Sequence, residues 1–285
     1  MLNFCINTNI QKDPDLSVTR RVAEILEKKR QNFYYEANVA DYFHQKPVDD
    51  FSKIDVLLVI GGDGTILKAA RTYAKYNPKI LAINLGRLGF LTETELSDLD
   101  VAIDHILCGA YKIDSRVMLK ASIVDEESKR VVKQAVALND CVVSQRKILR
   151  MINVEFYVDQ DLVESLYCDG IVVSSPTGST GYSLSAGGPI LTPNLECFVI
   201  TPVCAHTLQS RSMVIASDKK VLVRPRPDSK GVALSIDGQE HFEVEEGQAV
   251  IVEKSDHLAN FIRLEDRNFF GLLKQKLTEW NMQVK

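Results

Sequence analysis

The sequence predicts an α/β domain with a parallel sheet at the N-terminal end, followed by a β-rich domain, and three observations carry that prediction. Residues 1–112 alternate short β-branched runs with amphipathic helix-forming stretches. One of those runs, Ile54 to Ile60, is nearly uncharged, as a strand buried on both faces must be. After Ser115 the texture changes to alternating apolar and polar runs punctuated by turn residues, with few helical stretches.

Each element follows from local pattern. Leu2 to Thr8 reads as a first strand, and Pro14 to Arg30 as a helix carrying Val18, Val22, Ile25 and Leu26 inward. Asn32 to Val39 is a second strand candidate. Ile54 to Ile60 leads into a helix over Thr65 to Tyr76, which stops at Asn77-Pro78. Lys79 to Leu85 is another strand, and Leu96 to Gly109 a helix with a glycine stop. Strands separated by helices of this length imply right-handed β-α-β units. In the second half, Val117 to Val124 and Val131 to Val143 flank the acidic turn Asp125-Glu126-Glu127, a hairpin pattern. Val154 to Val158, Gly170 to Ser174, Leu195 to Pro202, Val221 to Val223, Ala233 to Ile236 and Gln248 to Glu253 add strands. Phe269 to Asn281 is an amphipathic helix with Phe270, Leu273, Leu277 and Trp280 along one face. The domain boundary falls near residue 113.

Composition excludes several classes. The 285 residues suit one large or two modest domains, and 45% hydrophobic with 25% charged content is ordinary for a globular protein. A formal net charge of −4 gives no footprint for nucleic acid or an anionic membrane. No run approaches the roughly 20 apolar residues of a membrane helix. The six cysteines are scattered without a C-x-x-C spacing, which disfavours zinc and a disulfide framework and makes a reducing, cytoplasmic setting the expectation.

The chemistry concentrates first at Gly61-Gly62-Asp63-Gly64-Thr65, where a strand turns into a helix. Open α/β sheets bind ligands at the carboxyl ends of their strands. Glycine permits positive φ and lets backbone N–H groups approach a phosphate, and the helix start adds partial positive charge. Asp63 is the unexpected member, because a carboxylate repels phosphate. It suits a hydroxyl to be deprotonated or a metal to be held, and together these features point to phosphoryl transfer. The plainer alternative is a tight turn with aspartate as helix cap.

A second dense block runs from Asp169 to Pro189, with a short strand entering Ser174-Ser175-Pro176-Thr177-Gly178-Ser179-Thr180-Gly181-Tyr182. Its hydroxyls and amides suit a ligand with many acceptors, such as a ribose phosphate, or simply cap a helix. Tyr182 either stacks on a planar base or plugs the core. Asp169 either fixes an amide or amino group or marks a turn. Asn139-Asp140 either reads an adenine edge and a ribose diol or forms a turn. His206 is a single histidine, a type more often structural than catalytic. Asp237-Gly238-Gln239 has the chemistry of a hairpin turn.

Taken together, Gly61 to Thr65, Asn84-Leu-Gly-Arg-Leu-Gly-Phe-Leu91, Asn139-Asp140, Asp169 to Pro189, His206 and Asp237 to Gln239 closely resemble the NAD kinases, in order from about residue 55 to 240. The Asp169 to Pro189 block is the most specific part. The glycine turn alone also occurs in related form in 6-phosphofructokinases and diacylglycerol-type lipid kinases. The resemblance implies an α/β domain over 1–112, a β-rich NAD-binding domain over 113–264 with a site between them, and residues 265–285 returning as a helix to the first domain. It implies transfer of the γ-phosphoryl of ATP to the 2′-hydroxyl of the adenosine ribose of NAD, giving NADP, with Mg²⁺ or another divalent metal required. Its metal ligands are not identified by any paired-carboxylate motif. It further implies a homodimer or homotetramer acting on NAD and ATP; the net charge, as above, makes neither nucleic acid nor membrane an expected partner.

By position, the resemblance makes Asp63 the base facing the 2′-hydroxyl. Gly61, Gly62 and Gly64 line phosphates with Thr65, and Phe90 covers the adenine. Asn139 and Asp140 hold adenine and ribose groups, Asp169 a base or carboxamide edge. Thr177, Thr180, Gly181, Tyr182 and Ser185 line the NAD pocket, with His206 and Gln239 near it. Two positions depart from the family pattern: Asp140 stands where glutamate is usual, and Tyr167 where arginine is frequent. Two rival readings remain, a lipid kinase sharing the turn and a catalytically silent NAD-binding regulator. A dehydrogenase is disfavoured by the missing G-x-G-x-x-G fingerprint. The missing Walker A sequence leaves the amides of the turn and the metal to cradle phosphate.

Overall fold

The N-terminal apolar run forms strand β1 (Asn3–Thr8), which has parallel neighbours on both sides. A computed structural model describes residues 1–86, 89–146, 151–207, 209–265 and 268–283, with side chains through 279. Helix α1 (Ser17–Lys28) buries Thr19, Val22, Ala23, Ile25 and Leu26, the spacing of one helical face. Asp13, 2% exposed, starts it: the carboxylate accepts the Val18 and Thr19 N–H groups at 3.2 and 2.9 Å and the Thr19 hydroxyl at 2.7 Å. Strand β2 (Asn32–Tyr35) ends before the expected Val39, because Glu36 caps a short helix α2 (Ala37–Ala40) by accepting from the Asn38 N–H.

Strand β3 (Val56–Gly61) is buried at every residue, as its uncharged composition requires. Helix α3 (Asp63–Tyr73) follows, then β4 (Lys79–Asn84), the two-residue β5 (Thr94–Glu95) and α4 (Leu99–Leu107). Gly109, at φ 75°, stops this last helix in a left-handed conformation. The strands lie in the order β2-β1-β3-β4, all parallel, with registers such as Ile6 to Leu58 and Ile60 to Ile83. Chain order reverses at β1: β2 lies on one side of it, and β3 and β4 lie on the other. The loops leaving β1 and β3 therefore diverge around a crevice, the topological switch point of an open α/β sheet.

The second half begins with β6 (Lys112–Asp125), which forms the expected hairpin with β7 (Val131–Ala137). The expected run to Val143 is two strands: after Leu138 and Asn139, β8 (Asp140–Gln145) joins a different sheet. Strand β9 (Ile152–Val158) pairs with β10 (Asp161–Cys168), which sequence pattern did not reveal because Leu162, Val163 and Tyr167 face solvent. Next come β11 (Gly170–Ser174), the short α5 (Tyr182–Ser185), β12 (Cys197–Val203), β13 (Met213–Ala216) and β14 (Val221–Pro225). β15 (Val232–Ile236), β16 (Glu240–Val244) and β17 (Gln248–Arg263) complete the strands; β17 continues well past the expected end at Glu253. One antiparallel sheet runs β13-β12-β11-β8-β15-β16. Its inner residues, including Val143, Ile171, Ile200 and Leu234, share a core with Val154, Phe156, Val223 and Val250 of β9, β14 and β17.

The chain divides into two compact units, Met1–Ser115 with Asn260–Lys285, and Arg116–Ala259. In the first, Asn260 and Phe261 of β17 extend the parallel sheet by pairing with Lys79 and Ile80. Helix α6 (Phe269–Gln283) belongs to that unit, half-burying Leu272, Leu273 and Leu277. Phe270 is 66% exposed, so the buried face is rotated away from the expected stripe. The side chain of Trp280 lies outside the described residues, as do Arg87 and Leu88 of the second glycine turn. No helix among the described residues is long and apolar enough to cross a membrane.

Candidate active site

In the first unit, Gly61 ends β3, Gly62 caps α3, and Asp63 occupies the first helical turn. The helix thus starts two residues before the expected Thr65, and Gly64 and Thr65 lie within it. Positive φ is not why these positions are glycine: Gly62 is extended at φ −116°, and the left-handed glycines are elsewhere. Close approach is the reason at Gly61, where a Cβ would stand 2.6 Å from the Thr65 hydroxyl oxygen. At Gly62 the near atom is the movable end of a side chain, the Lys12 Nζ, 2.6 Å from where a Cβ would stand. The Thr65 hydroxyl also accepts a hydrogen bond from Asn9 Nδ2 at 3.0 Å, which ties the loop after β1 to this turn.

The Asp63 carboxylate is held by the second glycine segment. Its Oδ2 accepts the Phe90 N–H at 3.1 Å and its Oδ1 the Leu91 N–H at 3.4 Å. A Cβ on Gly89 would overlap this carboxylate, so glycine there lets the segment close on it. The Thr92 hydroxyl accepts the Gly89 N–H at 2.9 Å and fixes the segment's curvature. Phe90 therefore reaches Asp63 through its backbone, while its side chain is half-buried. Two fixed donors set the plane of the carboxylate and leave lone pairs for an incoming hydroxyl.

In the second unit, Asn139 and Asp140 lie where the chain leaves β7 and enters β8. Asp237 holds them there. Its carboxylate accepts the N–H groups of Leu138, Asn139 and Asp140 at 3.1, 2.8 and 3.1 Å, and its own N–H donates to the Asp140 carbonyl at 2.9 Å. Asp237 and Gly238 are both left-handed, at φ 48° and 65°, as a type I′ hairpin turn needs. Asp140 is 5% exposed, and its carboxyl pKa is pushed up to about 7, first by burial and then by the Asp237 charge.

The hydroxyl-rich block serves two purposes. Ser175, Ser179 and Ser183 are buried and bond inward, to the Leu138 carbonyl, the Pro176 carbonyl and the Thr201 hydroxyl respectively. Thr177, Thr180, Tyr182 and Ser185 are half-buried or exposed. Gly178 packs so tightly on the Asn139 carbonyl that a Cβ would overlap it. A Cβ on Gly181 would lie 3.8 Å from Asn139 Nδ2 and 3.9 Å from Asp140 Oδ2, so the block approaches both polar side chains.

A cavity of about 620 Å³ opens here, lined by Asn139, Asp140, Tyr182 and Asp237 together with Ser144 and His241. It brings together three of the expected second-half residues. Asp169, Thr177, Thr180, Gly181, Ser185, His206 and Gln239 are not among its lining residues. Asp169 is exposed between β10 and β11, and the Cys204 thiol donates to its carboxylate, an interaction that holds the thiol pKa above its usual value. Thr177 accepts from Arg116 Nη1 at 3.4 Å. His206 is exposed, its N–H donating to the Tyr167 carbonyl at 2.8 Å, and Gln239 is exposed on the hairpin. Tyr167, at the position where arginine is frequent, donates its hydroxyl to Asp228 at 3.4 Å. Asp237 is the residue sequence reasoning undervalued: its Asp-Gly signal gave the turn, but not the three amides its carboxylate gathers.

Family models match both units. The model of the ATP-NAD kinase N-terminal domain covers residues 4–111, and that of the C-terminal domain residues 138–264. The chain belongs to the NAD kinase family. ATP-dependent phosphorylation of NAD is accordingly its reaction, and it is a phosphotransferase. The NAD kinase of Thermoanaerobacter sp. (strain X514) is 38% identical over 276 residues, spanning 95% of this chain and 97% of the relative. That of Caldanaerobacter subterraneus subsp. tengcongensis is 40% identical over the same length, with the same coverage. Two solved structures share the fold: yeast NADH kinase complexed with NADH, and an NAD kinase from Archaeoglobus fulgidus in complex with ATP. The first has a TM-score of 0.86 at 22% identity, covering 99% of this chain and 88% of that one. The second has a TM-score of 0.76 at 24% identity, covering 97% and 99%.

Proposed function

We propose that the acceptor is the 2′-hydroxyl of the adenosine ribose of NAD, that Asp63 is the base that receives its proton, and that the γ-phosphoryl of ATP is transferred to it. The observation that carries this is the Asp63 carboxylate itself, at the first turn of α3 beside a crevice between strand ends, oriented by the Phe90 and Leu91 amides. A phosphoryl transition state is loose, so positioning and charge neutralisation supply most of the rate. Gly61, Gly62 and Gly64 with Thr65 form the wall against which the phosphates lie, the start of α3 adding its partial positive charge. Phe90 covers the adenine. Asn139 and Asp140, gathered by Asp237, take adenine and ribose groups. Thr177, Thr180, Gly181, Tyr182 and Ser185 contact NAD, as do Asp169, His206 and Gln239. Asp140 is one methylene shorter than the family's usual glutamate, and its hydroxyl contact runs through a water.

Magnesium fits this chain in a limited sense. No cluster of three or more histidine, cysteine, aspartate or glutamate side chains with metal-binding geometry occurs among the described residues. Mg²⁺ commonly takes one or two carboxylates and completes its shell with water and phosphate oxygens. Asp63 retains the lone pairs for one such bond, and a metal held there would neutralise phosphate charge. We assign the working form to a homodimer or homotetramer in the cytoplasm. The six free cysteines support a reducing compartment.

The test is NADP formation by the purified protein with NAD, ATP and Mg²⁺, alongside Asp63→Asn. The variant is expected to lose roughly 10²–10⁴-fold in kcat while still binding NAD by calorimetry. Wild-type kcat in Asp63→Asn would remove Asp63 from the mechanism. A folded wild type that binds NAD yet forms no NADP, with either ATP or polyphosphate, would favour the silent regulator.

A further inference from the structure

We propose that Lys12 binds the polyphosphate chain of the nucleotide donor and supplies the cation that the glycine turn lacks in its own sequence. This rests on the reading above that the donor phosphates lie against Gly61 to Thr65. Lys12 belongs to the loop that leaves β1, and the glycine turn leaves β3, the strand beside it. Both loops therefore border the switch-point crevice, although some fifty residues of sequence separate them.

The loop is built to hold that position. The Asn9 N–H donates to the Ile60 carbonyl at 2.9 Å, and the Asn9 side chain donates to Thr65 at 3.0 Å. The Asn9 carbonyl in turn accepts the Lys12 and Asp13 N–H groups at 2.9 and 3.1 Å. The Lys12 ammonium ends up over the Gly62 Cα, 2.6 Å from where a Cβ would stand. The adjacent carboxylate does not neutralise it: Asp13 is buried and committed to the first turn of α1 through Val18 and Thr19. Lys12 itself is solvent-exposed and has no ion-pair partner among the described residues. An unpaired ammonium beside Gly62, with the positive end of α3 next to it, suits a multiply charged anion. A compact point charge on a flexible stem suits phosphate oxygens whose position changes during transfer.

The test compares wild type, Lys12→Ala and Lys12→Arg for binding of Mg-ATP, ADP, adenosine, inorganic tripolyphosphate and NAD by calorimetry, together with the KM for ATP. Lys12→Ala is expected to weaken ATP and tripolyphosphate on the order of 10–100-fold, the range of a charge-assisted hydrogen bond. ADP should weaken less and adenosine not at all, NAD affinity should stay within twofold, and arginine should restore most of the loss. A structural role would move adenosine and NAD together with ATP, which would overturn the proposal. So would unchanged affinity for both ATP and tripolyphosphate in Lys12→Ala. The ligand series separates the two readings: a wild type that binds tripolyphosphate through Lys12 but forms no NADP sinks the kinase mechanism and leaves Lys12 a phosphate ligand.

Discussion

Asp140 is almost fully buried, and the charge that faces it is another carboxylate, Asp237. Both effects favour the protonated form, which is why its pKa stands at about 7 rather than 3.8. The consequence for stability has a definite sign. A folded-state pKa above the unfolded one means the folded chain binds the extra proton between them. Stability contributed by this group is present below about pH 4 and is lost as pH rises through 7, by on the order of 4 kcal/mol across the whole window. Asp140→Asn should flatten that part of the denaturation-versus-pH profile; a slope that survives unchanged would assign it elsewhere. For ligand binding the sign is opposite. The water that bridges to the ribose hydroxyl donates to the ionised carboxylate, so NAD affinity should rise from pH 6 to pH 8 and the Asn variant should lose that rise.

At the level of elements, the site depends on two turns that sequence places far apart. Residues 89–91 close on Asp63 only because Gly89 has no side chain, and their amides then fix the carboxylate. Gly89→Ala should push this segment off Asp63 and cost on the order of 10²-fold in kcat, the scale of an ångström misplacement, with the KM for NAD little changed. Steady-state kinetics check it, and a full-rate variant would mean that the clamp on Asp63 is dispensable. The hairpin between β15 and β16 has the same logic: its tip residue Asp237 collects the three amides at Leu138 to Asp140. Asp-Gly was legible as a turn because both positions need left-handed φ, a local property. The amides it collects were not legible, since they lie about a hundred residues earlier and no local rule links them.

At the scale of the molecule, the first unit is discontinuous, and its closure rests on Arg263 at the end of β17. The side chains of Arg263 and Glu93 are 6% and 4% exposed; they pair at 2.8 Å, while Arg263 Nε reaches Asp114 at 3.0 Å. The Leu264 N–H adds a bond to Glu93 Oε1 at 2.9 Å. Removing the guanidinium would break its bonds to the buried Glu93 carboxylate and to Asp114. Arg263→Ala should therefore cost about 3–5 kcal/mol of stability, measurable by chemical denaturation. A loss below about 1 kcal/mol would show that strand pairing and apolar packing hold β17 and α6 without this ion pair.

What the sequence determined by itself was whatever periodicity and local chemistry encode. Apolar runs with period two or 3.6 gave the α/β half and the β-rich half. The glycine turn at a strand–helix junction gave phosphoryl transfer, and the ordered motifs from Gly61 to Gln239 gave the family. What only the tertiary structure decided were contacts between distant segments: Lys12 over Gly62, the Phe90 and Leu91 amides on Asp63, and Asp237 beneath Asn139 and Asp140. The physical reason is common to all three. Hydrogen bonds, ion positions and burial depend on which strands become neighbours, and strand order is fixed by the packing of whole β-α-β and antiparallel units. Local sequence cannot express that order, so it named the residues that carry the chemistry but not the backbone groups and charges that hold them in place.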